Sequence, residues 1–417
     1  MSRKSFREFL SPRDIAANCE AWLRRKYGRS ELSQRRVLFI DTLLPLPWYG
    51  AGHSRAHAIM HALNDNGWSI TCFSIEKNNV SMPVIRTDIP TSVKVVRRGR
   101  ATKFKRLLFG STTTLARFLI GKVFAYDVVL VSRFAAIKMT GGPLKWLKAT
   151  NKNCKVVFDF EALPALGERS RQALGTGGPR GTAETRIREQ IAEVSWVDAV
   201  ICNSAGDAHE LRRLGRPDAI SVSYLADPTP TASDFSKRRD FLFVGRLMEE
   251  GTPNVDGLVW FVNEVWPSVA AQLGSDVRLL VAGHASEWIL RALQSDSVQF
   301  LGAVPNLRSV YDQARVFVAA NRVSYGVPIK VLEAAAHGVP VVTTDEVNSY
   351  LGWRSGVDIL CSDESPAFAQ ACIRLYEDPT LWHKIRAEAL NRIDQHGERR
   401  KFLSLMNGLT TRSHDCH

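Results

Sequence analysis

Short apolar runs alternate with amphipathic segments of helical length along most of the chain. In the first half the apolar runs are VLFIDT (37–42), SITCFS (69–74), VKVV (93–96), DVVLVS (127–132), KVVFDF (155–160) and DAVICN (198–203). Runs of this kind are typical of parallel strands buried on both faces, with the helical segments between them as crossover connections. The pattern predicts a parallel, doubly wound α/β sheet whose ligands bind at the carboxyl ends of its strands.

The alternation stops at residues 226–239, where prolines and small polar residues indicate an interdomain linker. A helix is then expected at about 254–272. Further strand-like runs cover residues 241–245, 277–283, 298–302, 315–320 and 339–344. The chain is therefore predicted to form two Rossmann-like domains, each with a mainly parallel sheet, that face each other across a cleft.

The length of 417 residues and the hydrophobic content of 45% are sufficient for two cores. A basic N-terminal extension should contain a helix, since Ser11 and Pro12 suit its first turn. The predicted organisation is this extension (1–36), a first Rossmann-like domain (37–225), the linker (226–239), a second Rossmann-like domain (240–375) and C-terminal helices (376–417) that could pack back on the first domain.

The stretch from residue 321 to 344 predicts a loop, a helix and a buried strand in succession. Pro328 suits the first helical position, and Gly338 can adopt the left-handed conformation that ends a helix. Lys330 and Glu333 share one side of this otherwise apolar helix, near its N-terminus. A helix N-terminus beside a lysine suits a phosphate, and a glutamate can accept hydrogen bonds from ribose hydroxyls. The alternative is an ordinary Lys–Glu pair on a solvated face.

Arg246 directly follows a predicted strand of the second domain, at residues 241–245. The carboxyl end of this strand should lie at the same sheet edge as the helix that carries Lys330, so the two cations could converge. Together they would hold a diphosphate and stabilise the charge that develops on it as a leaving group. An arginine after a strand can also be a plain surface residue.

Three first-domain residues are further candidates for contact with a ligand. Gly52 lies in a glycine-containing loop, PLPWYGAGHSR, where the backbone could approach a phosphate or sugar closely, and His53 follows it. Glu161 ends the sequence Asp-Phe-Glu, which looks like a DxD metal site. We interpret Glu161 as a polar residue that faces the cleft, and we predict no metal. A structural role for His53 is the alternative.

The formal net charge of +13 and the pI near 9.6 indicate an anionic partner. Positive charge concentrates in residues 1–36 and 94–109, and the latter range has seven Lys or Arg and no acid between Lys94 and Arg106. Because apolar side chains are interleaved with these cations, an anionic membrane surface is a candidate partner. Nucleic acid is not predicted, since aromatic stacking platforms are sparse. Solvated loops are the alternative.

The first residues lack the apolar core of a signal peptide, and no later run has the roughly 18 apolar residues of a spanning helix. The seven cysteines are scattered and form no CxxC pair. These features predict reduced thiols in a cytoplasmic protein. Combined with the basic segments, they are consistent with a peripheral location on the inner face of the membrane.

Three segments together resemble the retaining glycosyltransferases of family 4, also called glycosyltransferase group 1. They are PIKVLEAAAHGVPVVTT (328–344), FLFVGRLMEEGTPNVDGLVWFVNEVWP (241–267) and VQFLGAVPNLRSVYDQARVFVAA (298–320). The resemblance runs from about 37 to 395 and is looser in the first domain. It implies the GT-B fold, with the acceptor on the side of the first domain and a nucleotide-sugar donor bound mainly by the second.

By this resemblance, Arg246 and Lys330 would bind the donor diphosphate and Glu333 the ribose. Gly52 would belong to a loop that closes over the donor, and the donor site would include the residues next to the helix, Tyr325 and Gly326. Tyr325 stands where the family has the first of its paired glutamates, the usual ligand of the donor-sugar hydroxyls.

The resemblance implies transfer of a sugar, with retention of configuration, from a nucleotide-diphosphate sugar to a polysaccharide or lipid-linked glycan. No cofactor or metal would be required. A sugar-nucleotide epimerase of the same architecture and a non-catalytic sugar-nucleotide-binding protein are the alternatives.

Overall fold

The computed structural model describes residues 34–47, 51–77, 79–97, 114–161, 163, 182–225, 227–304, 306–324, 326–395 and 397–410. The predicted N-terminal helix, Tyr325 and much of the basic segment 94–109 lie outside these residues. Among the described helices, none has the length and apolar content needed to cross a lipid bilayer.

In the described residues, the first domain is built on a parallel sheet of seven strands in the order β3-β2-β1-β4-β5-β6-β7. Its strands are β1 (Arg36–Asp41), β2 (Ser69–Ser74), β3 (Lys94–Val96), β4 (Val128–Ser132), β5 (Lys155–Asp159), β6 (Ala199–Cys202) and β7 (Ile220–Ser221). Its helices are α1 (Ala51–Asp65), α2 (Met82–Asp88), α3 (Thr114–Leu119), α4 (Phe134–Thr150), α5 (Thr182–Glu193) and α6 (Ala205–Arg213). The central strands are apolar and buried along almost their whole length because helices cover both faces of the sheet.

The second domain repeats the design with six parallel strands in the order β10-β9-β8-β11-β12-β13. They are β8 (Asp240–Val244), β9 (Leu279–Ala282), β10 (Val298–Gly302), β11 (Ala314–Ala319), β12 (Val341–Thr343) and β13 (Leu360–Cys361). Its helices are α7 (Pro253–Trp260), α8 (Trp266–Leu273), α9 (Glu287–Leu293), α10 (Arg308–Gln313), α11 (Ile329–Ala336), α12 (Asp345–Ser349), α13 (Ser365–Glu377) and α14 (Pro379–Gln395). The predicted architecture of two parallel-sheet α/β domains is confirmed.

The strand order creates one switch point in each sheet. At a switch point, the connections that follow two neighbouring strands run in opposite directions along the sheet. In the first sheet β1 lies between β2 and β4, and in the second β8 lies between β9 and β11. A crevice forms at the carboxyl ends of the strands at such a point and is the usual ligand site of an open α/β sheet. Candidate ligand-binding residues should therefore follow β1 and β4 in one domain, and β8 and β11 in the other.

The helix expected at 254–272 is present, but a π-helical turn at Phe261–Val265 divides it into α7 and α8. Pro267 explains the division. Its ring lacks an N–H and would clash with the carbonyl of Asn263 in a regular α-helix, and one wider turn relieves this clash. The two-residue strands β7 and β13 were not predicted, because a pair of residues shows no periodicity.

The last helix in the described part of the chain, α15 (Glu398–Gly408), packs on the first domain, whereas α14 packs on the second. Phe402 and Met406 are buried in the first domain's core, and Arg399 pairs with Asp65 at the end of α1. The chain thus crosses back between its two domains after α14.

Candidate functional site

A cavity of about 380 Å³ lies at the carboxyl edge of the second sheet and is closed on one side by the first domain. Its second-domain lining comes from α11 and from the segments that follow β8, β9, β10 and β11, and it thus includes the switch point. Pro47 and Ser54 contribute the first-domain side. Polar residues of the lining include Ser54, Arg246, Asn254, Asn321, Lys330 and Glu333.

The helix α11 forms where the sequence predicts it, and Gly338 adopts a left-handed φ of 69° just beyond its end. Its apolar side is buried in the second domain. Lys330 and Glu333 are only partly buried and border the cavity. Each has hydrogen-bond partners on other elements, so the alternative of a simple Lys–Glu pair on a solvated face does not describe this helix.

Two amide oxygens hold the ammonium group of Lys330. Its Nζ donates to Asn254 Oδ1 at 2.9 Å and to Asn321 Oδ1 at 2.6 Å, and it lies 4.6 Å from the centre of the Phe243 ring. Asn321 Nδ2 donates to Asn254 Oδ1 at 3.2 Å, which fixes the orientation of both amides. Because burial is compensated only by neutral dipoles, the pKa of Lys330 falls to about 7. Within the part of the chain that the structure describes, the hydrogen-bond partners of this cation carry no countercharge.

Glu333 links the two domains. Tyr224 Oη donates to its Oε1 at 3.0 Å, and Ser54 of α1 makes a second hydrogen bond to the carboxylate. Burial raises the pKa of Glu333, and these two hydrogen bonds partly oppose that shift. An acceptor that already holds two hydroxyl groups is chemically suited to bind the hydroxyls of a ribose.

Arg246 and Gly326 also line the cavity. The side chain of Arg246 is 61% exposed and lies 3.8 Å from Glu249 Oε1, so it is held loosely at the rim. Gly326 is buried and has a left-handed φ of 76°, a conformation that favours glycine. Four predicted donor-site residues thus meet at one cavity: Gly326, Arg246, Lys330 and Glu333.

Apart from Tyr325, which lies outside the described residues, the remaining three predicted residues meet at a separate place in the first domain. Gly52 lies in the first turn of α1 and not in a loop, because the helix begins at Ala51, earlier than expected. His53 Nε2 is 3.0 Å from Arg133 Nη1, and Glu161 Oε2 accepts from Arg133 Nε at 3.0 Å. Burial and the nearby Arg133 lower the pKa of His53 to about 3, so this imidazole is neutral.

Arg133 and Asp41 complete this first-domain cluster, which consists of Asp41, His53, Arg133 and Glu161. Arg133 Nη1 lies 3.2 Å from Asp41 Oδ1. Burial raises the pKa of Asp41 to about 7, against the effect of Arg133. Sequence reasoning missed both residues. The available signal was their position, since Asp41 ends β1 and Arg133 follows β4, the two strands at the switch point.

The backbone is strained at two members of the first-domain cluster. Arg133 has a φ of 77° and Glu161 a φ of 64°, values that side chains other than glycine rarely adopt. Such strain persists only where surrounding contacts impose it, and it concentrates at functional sites. The cluster is therefore a candidate for contact with a second substrate at the first-domain edge.

Both carboxylates of the Asp-Phe-Glu sequence form ion pairs with arginines. Asp159 pairs with the fully buried Arg55, and Glu161 pairs with Arg133. Within the described parts of the chain, no group of three His, Cys, Asp or Glu side chains is placed to hold a metal ion.

Replacing Gly52 by alanine should destabilise the protein by about 1–3 kcal/mol, because the new Cβ would lie 1.5 Å from Glu161 Oε1. Elsewhere in a helix the same change is stabilising by about 0.5–1 kcal/mol, since glycine is a poor helix former. Gly142 in α4 is the matched control, because nothing lies within 4 Å of the position that an alanine Cβ would take there.

Urea unfolding of the two variants tests this contact. Removal of the carboxylate in the double variant Gly52→Ala/Glu161→Ala should restore part of the lost stability. Equal stability of Gly52→Ala and Gly142→Ala would contradict the close approach of Glu161 to α1.

Residues 238–378 match the family model of the group 1 glycosyl transferases. An uncharacterized 44.6 kDa protein in the cps region of Klebsiella pneumoniae is 26% identical over 172 residues, which is 39% of this chain and 44% of that protein. The match therefore spans less than half the length of this relative.

Solved structures share the fold over nearly the whole chain. Anabaena HepE in complex with UDP and glucose is 14% identical with a TM-score of 0.64, covering 91% of this chain and 100% of its own. A glycosyltransferase from Rickettsia africae is 13% identical with a TM-score of 0.62, covering 91% and 100%. Sucrose-phosphate synthase from Thermosynechococcus elongatus is 16% identical with a TM-score of 0.60, covering 90% and 99%.

At these identities the structural likeness shows the fold alone, and the family model matches only the second domain. Residues 238–378 thus match the group 1 glycosyl transferase family within a chain that has the two-domain GT-B fold.

Proposed function

We propose that the protein is a retaining glycosyltransferase of family 4 that moves a sugar from a nucleotide-diphosphate donor to a polysaccharide or lipid-linked glycan. The observation that carries this proposal is the environment of Lys330, whose ammonium borders the interdomain cavity and has, among the described residues, only amide oxygens as hydrogen-bond partners. A diphosphate would supply the missing negative charge. The match of residues 238–378 to a group 1 domain supports the same assignment.

In this proposal the second domain binds the donor. Lys330 and Arg246 stabilise the charge that develops on the departing diphosphate, and Glu333 accepts hydrogen bonds from the ribose hydroxyls. The loose attachment of Arg246 allows its guanidinium to move toward the phosphates. UDP or a UDP sugar is a reasonable first donor to test, since HepE was solved with these molecules.

The acceptor would approach from the first domain, where the first-domain cluster lies at the carboxyl edge of the sheet. For retention, the acceptor hydroxyl attacks on the face from which the diphosphate departs, and its proton passes to the departing phosphate oxygen. The C–O bond to the diphosphate breaks as the bond to the acceptor oxygen forms. This chemistry needs no separate base from the chain.

A panel of nucleotide sugars with oligosaccharide and lipid-linked acceptors tests the proposal, with NMR of the product reporting the anomeric configuration. Transfer with retention is the expected result, and an inverted product would contradict the mechanism. An epimerase would instead interconvert donor sugars without acceptor, and a binding protein would take up donor with no turnover on any acceptor.

The variant Glu333→Gln should raise the KM for the donor about tenfold and change kcat less, because one charge-assisted acceptor of the ribose is lost. Glu377→Gln, at an exposed position of α13, is the control and should behave like the wild type. An unchanged KM in Glu333→Gln would remove Glu333 from the donor site.

A further inference from the structure

One stretch of the first domain accounts for the whole net positive charge of the protein. Residues 89–158 contain fifteen Lys and Arg but a single acid, Asp127, while the net charge of the entire chain is +13. Asp127 itself is paired with Arg36 at 3.0 Å. The remainder of the chain is therefore close to neutral, and an anionic partner that binds this positive charge should contact the first domain.

The described part of this stretch includes α3 and α4, which pack against each other and share one hydrophobic core with α5. Neither α3 nor α4 contains an acidic residue. Leu144 and Leu147 are among the buried residues of α4. The opposite side of this helix is exposed to solvent, and the side chains on that side are unusual for a solvent-exposed helix face.

That solvent side presents cations and large apolar groups together. Lys138 and Lys145 lie two helical turns apart, and Met139 and Trp146 follow them with the same spacing, so the four residues form one stripe along α4. The side chains of Met139 and Trp146 are 57% and 46% exposed, and Ile120, just beyond the end of α3, is 64% exposed. Together these five residues make up the α3–α4 face.

Two other lysines of the stretch serve the fold instead. Lys148 lies 3.0 Å from Asp198 and Lys155 lies 3.9 Å from it. Lys145 has an aromatic neighbour, with its Nζ 5.6 Å from the centre of the Trp196 ring. Lys138 and Lys145 therefore direct positive charge outward, whereas part of the remaining charge is neutralised within the domain.

We propose that the α3–α4 face docks on an anionic lipid bilayer. Lysines attract the negative surface of such a membrane, and an exposed tryptophan and exposed aliphatic groups enter its interfacial region. A nucleic acid would engage the lysines but would leave Met139 and Ile120 without a contact that favours binding. The combination of cationic and apolar side chains on one face therefore favours a bilayer over a nucleic acid as the partner.

The test is flotation of the full chain with vesicles of phosphatidylcholine alone or with added phosphatidylglycerol. The protein should float with the anionic vesicles, float less as salt is raised, and stay at the bottom with the neutral ones. The variant Lys138→Glu/Lys145→Glu should lower the partition coefficient at least about tenfold. Circular dichroism verifies that each variant is folded, and Lys138→Gln/Lys145→Gln serves if the charge reversal impairs folding.

Two further variants distinguish the contribution of the α3–α4 face to flotation from that of the protein's net charge. Arg374→Glu/Lys384→Glu changes the net charge equally at exposed positions of the second domain and should leave flotation nearly unchanged. Met139→Gln/Trp146→Gln keeps the charge and should lower the partition coefficient several-fold.

Several results would overturn the proposal. These are failure to float with anionic vesicles at low salt, equal losses in the first- and second-domain charge variants, and unchanged flotation of Met139→Gln/Trp146→Gln. Binding of the protein to an RNA oligonucleotide that is abolished by Lys138→Glu/Lys145→Glu, with no binding to vesicles, would assign the face to nucleic acid. None of these measurements depends on transferase activity, so they stand apart from the proposed function.

Discussion

Replacing Lys330 by alanine is expected to lower kcat/KM for the donor by roughly 100-fold or more, because preorganised charges aimed at a developing anion contribute effects of this size. Lys330 suits this role because Asn254 and Asn321 hold its ammonium in place without neutralising it. Lys384→Ala, at an exposed position of α14, is the matched control. If Lys330→Ala keeps wild-type donor binding and turnover, the donor site is assigned wrongly.

The pH dependence of donor binding gives Lys330 a second readout. The pKa of Lys330 in the free protein is about 7, so its ammonium is largely charged below pH 7 and increasingly neutral above it. A bound diphosphate favours the charged form, so binding above pH 7 takes up a proton and weakens as pH rises, by at most about tenfold per pH unit. Calorimetry in buffers of different ionisation enthalpy measures this uptake. The variant Lys330→Arg should lose it, since arginine stays charged.

The variant Asn254→Asp tests why the partners of Lys330 are amides. It places a carboxylate about where the amide oxygen now lies, 2.9 Å from Nζ. The new ion pair would raise the pKa of Lys330 and compete with the diphosphate, so donor affinity should fall and its pH dependence should move to higher pH. Tighter donor binding in Asn254→Asp would contradict this explanation.

Replacing Arg55 by methionine is expected to destabilise the first domain by about 3–5 kcal/mol, because it leaves a buried carboxylate without its countercharge. The side chains of Arg55 and Asp159 are both 0% exposed and form two hydrogen bonds, at 3.1 and 3.2 Å. Arg55 also donates to the carbonyls of Val222 and Ser223, which would lose their partner. The pair fixes α1 to β5 and to the chain after β7.

Urea unfolding followed by tryptophan fluorescence measures this effect. Arg188→Met removes an exposed partner of Glu184 and should change stability little, since both side chains are about half exposed. The double variant Arg55→Met/Asp159→Asn should recover part of the loss, because the neutral amide can still accept from the backbone N–H of Glu161. A loss in Arg55→Met no larger than in Arg188→Met would show that the buried pair contributes little.

Local pattern was a good guide to the elements of this protein. The two sheets follow from apolar runs with helical segments between them, and α11 follows from Pro328, its apolar side and Gly338. The helix boundaries in the structure differ from the predicted ones where a neighbouring residue imposes its own geometry. Pro267 inserted a π turn into a predicted helix, and α1 began early enough to include Gly52.

Contacts between distant residues were harder to predict. The sequence indicated Lys330 and Glu333, but not the amides of Asn254 and Asn321 or the hydroxyl of Ser54 that meet them. Arg133 follows a strand just as Arg246 does, but it was missed because the local pattern does not reveal that β4 lies beside β1. Its role emerges from partners that include Asp41 at the end of β1, Glu161 after β5 and His53 of α1.

The order of apolar and polar residues was enough to establish that two parallel α/β sheets form and that a short helix with Lys330 and Glu333 opens at the edge of the second. The physical reason is that burial on both faces requires continuous apolar strands, and helix termini have local signals. Which polar groups meet was settled in three dimensions, since this depends on strand order. The placement of β1 beside β4, and of β8 beside β11, brings Asp41 to Arg133 and the residues after β8 and β11 to one cavity.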